Sequence, residues 1–173
     1  VNFGSRKWAF LSSFTYNDFD DLKQGSKRNN KYPGFGNRNW YVQRINGLDS
    51  IVNNSDPAVQ KFSGYTQWDF MQKVLYQPNN NESHLLNIQL SNSSNIPRYD
   101  RLTDVGGGLP AQSEWYYGPQ KRLLAAYDMN IKNPSKLNIH AGVNYQMLQE
   151  SRHNRNFGSR FITHRIEDVS VIG

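Results

Sequence analysis

The residues best suited to chemistry in this chain are cations set beside aromatic rings. Arg98, Tyr99 and Arg101 fall close together, followed by Trp115, Tyr116 and Tyr117, and then by Arg152, His153 and Arg155. Guanidinium groups take anionic oxygens in a planar fork, and Tyr and Trp offer flat faces for stacking. The set therefore suits an anionic planar ligand, with His153 able to ligate or hydrogen-bond it. The plainer reading of the rings is an interfacial aromatic girdle, and of His153 a solvated loop residue.

No catalytic constellation accompanies these residues. Ser, His and Asp all occur, but nothing resembles a nucleophile elbow. His84, His140, His153 and His164 are scattered, and no pair has metal-ligand spacing in the sequence. Gly106, Gly107 and Gly108 lack the Lys and Ser/Thr of a phosphate loop. Asp18, Asp20 and Asp21 lack calcium-loop spacing. The sequons at Asn53, Asn81 and Asn92 are expected by chance in so Asn- and Ser-rich a chain. The chain is read as a non-enzyme with no permanently bound cofactor and no metal.

The elements that must position the candidates show a repeating rhythm of apolar side chains at every second position. A first strand is predicted over residues 6–17, with Trp8, Phe10, Phe14 and Tyr16 on one face and Lys7, Ser13, Thr15 and Asn17 on the other. A second covers 67–77, with Trp68, Phe70, Val74 and Tyr76 on one face. A third, 83–94, sets Leu86, Ile88 and Leu90 against Asn87, Gln89 and Ser91. A fourth covers 115–131. A fifth, 137–149, alternates most regularly, with Ile139, Ala141, Val143 and Tyr145 opposed to His140, Asn144 and Gln146. A weaker sixth ends at Val169, Val171 and Ile172. Residues 18–66 and 96–114 read as long polar loops and 152–160 as a basic loop. Residues 79–81 and 132–136 read as tight turns, the latter with Pro134 at the corner. Within the first long loop, Asn46-Gly47 marks a small hairpin between 40–45 and 49–53.

Composition agrees with strands wet on one face. Only 36% of the 173 residues are hydrophobic, against 13% aromatic. Mean hydropathy is −0.80. A water-soluble domain of this size normally carries more Leu, Ile and Val. There is no apolar run of 18 residues, hence no transmembrane helix, which leaves a β-barrel open. The formal charge is +6, yet no nucleic-acid-binding signature accompanies it, and none is expected as a partner. Cys is absent. The chain begins at Val1 without a signal peptide, and is read as a mature product or an excerpt of something longer.

Connections that alternate between short and long are the habit of outer-membrane barrels, whose short turns face the periplasm and long loops the exterior. This reading puts residues 79–81 and 133–135 on the periplasmic side. The alternative is a secreted β-sandwich acting as an adhesin or carbohydrate-binding module.

Two motifs carry a resemblance. Asn95-Ile96-Pro97-Arg98-Tyr99-Asp100-Arg101-Leu102-Thr103 resembles a strand-to-loop element of TonB-dependent outer-membrane receptors. Glu114-Trp115-Tyr116-Tyr117-Gly118-Pro119-Gln120-Lys121-Arg122 does likewise. Residues 63–73 and 145–155 are similar to the haem/haemoglobin-type branch found in Bacteroides-like bacteria. The resemblance implies a 22-stranded antiparallel transmembrane barrel in the outer membrane of a Gram-negative bacterium, of which residues 1–173 supply about six strands. It implies import of haem or an iron chelate, or else cobalamin, energised by TonB through a plug domain. No segment here reads as a plug or a TonB box. The expected partners are outer-membrane lipid, lipopolysaccharide and the remaining barrel strands. Arg98, Tyr99, Arg101, Arg152, His153 and Arg155 are expected on the outward side, at the ligand's approach.

Overall fold

The computed structural model describes residues 1–27, 30–133, 135 and 137–173. The fold is all-β and antiparallel. In chain order the elements are β1 (Asn2–Gly4), β2 (Trp8–Phe19), β3 (Trp40–Ile45), β4 (Leu48–Asn53), β5 (Tyr65–Asn79), β6 (Glu82–Ser93) and β7 (Ile96–Pro97). A single helical turn, α1 (Tyr99–Leu102), follows. Then come β8 (Val105–Gly106), β9 (Leu109–Pro110), β10 (Gln112–Tyr117), β11 (Lys121–Ile131), β12 (Ile139–Asn156) and β13 (Thr163–Ile172).

The long strands form an up-and-down meander in the order β2-β5-β6-β11-β12-β13, with β1 on the outer edge of β2. β10 continues the rail of β11 along the far half of β12. Lys121 opposes Gln149, and four residues earlier Tyr117 opposes Arg152. Four residues against three is a bulge, which flips the alternation between β10 and β11. β7 likewise continues the rail of β6 against β10.

The registers join the predicted apolar faces into one surface. Trp8 opposes Tyr76, which opposes His84; Leu86 opposes Tyr127, which opposes Val143. The reverse face carries Thr15, Asp69, Ser91, Arg122 and Gln146. That polar face encloses an open trough of about 740 Å³, whose lining runs from Ser13 on β2 to Gln146 on β12. One trough reaching across five strands means that the sheet curls toward its polar side, as the right-handed twist of strands allows.

The described residues leave most of the apolar side uncovered. Among the described residues no large apolar side chain is buried; those buried are Asn, Ser, His and Arg, with Pro110 and Gly118. Phe14 is 67% exposed, Tyr16 59% and Val143 54%. The total accessible surface is 12143 Å². A compact monomer of this mass would expose roughly 8,700 Å². Among the described residues no second sheet stacks on the middle of this face, and the β3-β4 hairpin meets it only at the far end of β12. The two remaining sheets are the hairpins β3-β4 and β8-β9.

Several sequence expectations are corrected. The segment 96–114 is not a plain loop, since it holds β7, α1, the β8-β9 hairpin and the start of β10. The strand expected over 115–131 is broken at the bulge. The basic loop expected over 152–160 is largely strand, because β12 runs 18 residues to Asn156. Arg152, His153 and Arg155 therefore project from a paired strand, and only residues 157–162 connect it to β13. The expected corner at Pro134, its neighbour Lys136 and the basic residue Arg28 lie outside the described residues. The Asn46-Gly47 hairpin forms as expected. Ile45 pairs with Leu48, and both turn residues take positive φ, 50° and 80°. This is the primed turn whose twist matches the flanking strands.

Candidate functional site

The candidates gather where β12 rises past β11 to meet β10, with the β3-β4 hairpin folded against it. Alternation divides them between two faces. Trp115 and Tyr117 share a face with their partners Asn154 and Arg152, and this is the trough side of β12. Glu114 and Tyr116 share the opposite face with their partners Arg155 and His153.

On the trough side two guanidiniums flank one indole. Arg98 lies 4.8 Å from the centre of the Trp115 ring, and Arg152 lies 5.9 Å from it and 5.7 Å from that of Tyr117. The Arg98 amide donates to the Trp115 carbonyl at 2.8 Å, which ties the start of α1 to β10. Arg98 pairs with Asp100 and Arg101 with Asp104, at 3.1 and 3.2 Å in exposed positions. Arg152 opposes Arg165 across the β12-β13 pair, one step beyond the opposed Glu150 and Glu167. Like charges placed directly opposite are unfavourable. Glu150 approaches Arg122 at 3.9 Å. Among the described residues, neither Arg152 nor Arg165 has a carboxylate within ion-pair distance, so this edge presents two free cations beside a Trp and a Tyr.

The other face is built around Arg155, whose side chain is 4% exposed. Its terminal nitrogens donate to both oxygens of Asp49, at 2.7 and 2.9 Å. Nε and one terminal nitrogen donate to Glu114 Oε1, at 2.9 and 2.6 Å, and the Ser159 carbonyl accepts the remaining bond at 2.8 Å. All five donors of the fork are used. The Gly158 amide also donates to Asp49, at 2.8 Å. Burial acts to raise the pKa of the Asp49 carboxyl, but the bonds from Arg155 and Gly158 outweigh it and hold the group below its ordinary value. The bond to Asp49 in turn raises Arg155. Arg155 thus pins the hairpin to the end of β12 and offers no free donor to a ligand.

Beneath the hairpin lies a cavity of about 320 Å³. Trp40, Tyr41, Phe62, Tyr99, Trp115 and Tyr116 supply its aromatic lining. Of the candidates read from the sequence, Tyr99, Trp115, Tyr116 and Arg155 line it. Gln112 Oε1, also in the wall, is buried without a hydrogen-bond partner, while its Nε2 donates to Asn156 at 2.9 Å.

His153 is 8% exposed, and Tyr116 stacks on it with ring centres 4.8 Å apart. Its strand partner is His164, and the two Nδ1 atoms are in direct contact. Burial and the neighbouring imidazole lower the pKa of His153, against a hydrogen bond with the Gly118 backbone. Sequence spacing offers no metal-ligating pair, but strand pairing brings two imidazoles together. The signal available was the turn between β12 and β13, which fixes which His opposes which.

No known protein-family model, curated protein or solved structure matches this chain.

Proposed function

We propose that this chain is part of the wall of a TonB-dependent outer-membrane receptor that imports haem or an anionic iron chelate. The observation that carries the proposal is the single curled sheet with an uncovered apolar side and a polar concave side. In water that arrangement leaves aromatic surface unburied. In a bilayer lipid solvates the outer face and the lumen solvates the inner one.

Ring placement agrees. Trp8 and Tyr76 lie 4.3 Å apart, and Tyr76, His84 and Tyr127 continue the row on the next two strands. The Tyr127 hydroxyl meets His84 at 2.6 Å. Tyr16 and Trp68 form a second pair eight residues further along β2. That separation is roughly 27 Å along the strand, or about 20 Å of bilayer normal at the usual barrel tilt. Two aromatic levels bracketing an apolar band match the girdles of barrels. The far part of β12, with Arg152, His153 and Arg155, then stands outside the membrane, since about 9–11 residues suffice to cross it.

Spin labels test the orientation. Labels at Phe14, Tyr127 and Tyr145 should be relaxed by lipid-soluble oxygen, and labels at Asn87, Asn130 and Asn144 by a water-soluble nickel chelate. Equal accessibility of the two sets would rule out the wall.

For the cargo, Arg98 and Arg152 border the concave side with Trp115 and Tyr117, and Arg101 follows in α1. Their role is to attract an anionic planar ligand by long-range steering. Replacing Arg98 and Arg152 together by Gln should slow uptake of such a ligand several-fold at low salt and much less at high salt. Unchanged uptake, with membranes more sensitive to detergent, would assign these charges to lipid phosphates instead.

A further inference from the structure

We infer that His153 and His164 form a binding site for a single divalent first-row transition-metal ion, Cu²⁺ or Zn²⁺, at the outer end of the β12-β13 pair. The inference does not rest on the membrane reading, because the site is defined by strand register alone. The two residues are direct partners across the antiparallel pair. Directly opposed Cβ atoms stand roughly 4.5–5.5 Å apart. That spacing lets two imidazoles converge on one ion at about 2.0–2.1 Å after small side-chain rotations. The rings already meet through their Nδ1 atoms, with centres 4.6 Å apart and planes at 71°. Two nitrogens in such contact share one proton, and a metal ion can replace that proton.

The surroundings favour coordination. Tyr116 stacks on His153 and fixes its plane. With Nδ1 turned to His164, a neutral His153 that carries its proton on Nε2 offers the Nδ1 lone pair to an ion. His164 is exposed, so an ion can enter and water can complete its coordination. Two positions along on the same face, Arg155 is set against Asp49 and Glu114. Arg44 also lies 3.8 Å from Asp49, so two guanidiniums balance the two carboxylates, and the convergence of the two rings, not local charge, favours the ion. Imidazole donors suit Cu²⁺ and Zn²⁺, and Cu²⁺ binds more tightly in the general order of divalent ions.

The test uses Cu²⁺ as probe on the intact protein, with His164→Gln as the main variant because that side chain is exposed and Tyr116 still stacks on His153 without it. Electron paramagnetic resonance of one equivalent of Cu²⁺ should show two coordinated imidazole nitrogens in the parent and one in His164→Gln. Calorimetry with Zn²⁺ should show affinity falling roughly 10–100-fold in the same variant, the range that loss of a supporting partner alone can reach. His140→Gln, a change at a His on another part of the sheet, should alter neither readout. Fewer than two nitrogens in the parent, or equal binding by parent and His164→Gln, would overturn the inference. A loss in His140→Gln equal to that in His164→Gln would overturn it too, since binding would then be non-specific.

Discussion

Replacing Arg155 by Met should release the β3-β4 hairpin from the sheet, at a cost of about 3–5 kcal/mol in docking free energy. The size follows from what is left behind. Asp49, whose side chain is 1% exposed, would keep its charge without its bidentate partner, and Glu114 would lose both bonds to the same group. Limited proteolysis should cut within residues 40–53 far faster in the variant while the long strands stay intact. Adding Asp49→Asn to Arg155→Met should recover part of the loss, because the second change removes the stranded charge. If the single variant resists proteolysis as well as the parent, the pin is decorative. The pH dependence has a definite sign. The Asp49 carboxyl titrates below its ordinary value of 3.8 when the hairpin is docked. Its contribution is therefore complete above that ordinary value and is lost as pH falls through the lower docked value. Docking should be insensitive to pH near neutrality and fail only in strong acid.

Val143→Arg should cost about 2–4 kcal/mol when the protein is folded in a bilayer. Val143 is 54% exposed on the apolar side, opposite Tyr127 in the middle of the sheet. A cation there would face hydrocarbon. The adjacent change Asn144→Arg points to the concave side and should be nearly neutral. Urea titration of the protein folded into liposomes measures both. A neutral Val143→Arg would mean that the face meets water, since exposed surface positions accept a charge within about 0.5 kcal/mol.

How much of this was legible in the sequence depends on the kind of signal. Strands with a lipid-like and a water-like face write both into the residue alternation. The faces of Trp8, Tyr76, Ile88, Tyr127 and Val143 could therefore be read directly, and the registers join them. The Asn46-Gly47 turn was legible because few dipeptides accept positive φ at both positions. The far half of β12 was not. Glu150-Ser151-Arg152-His153-Asn154-Arg155-Asn156 carries no apolar alternation, and the side-chain contacts that back its pairing with β10 and β13 are polar or ring contacts that no local pattern announces. The bulge after Tyr117 was hidden for the same reason. The Arg155–Asp49 pin joins residues 106 positions apart, and nothing local announces it. The His153–His164 pair spans 11 positions and becomes visible only once the turn between the strands is known.

The surface excess has a thermal consequence. Proteins that fold in water owe the curvature of their stability with temperature to apolar area hidden on folding, about 12–15 cal/mol/K of heat capacity per residue. This sheet leaves more of its apolar area uncovered than a compact domain does, since among the described residues no large apolar side chain is fully buried by the chain itself. Its unfolding heat capacity is then set by whatever medium touches the outer face, and in lipid the stability curve flattens. On the membrane reading proposed above, the protein would show only a shallow temperature of maximum stability and little tendency to cold denaturation, and warming and cooling would act on it largely through the fluidity of the lipid.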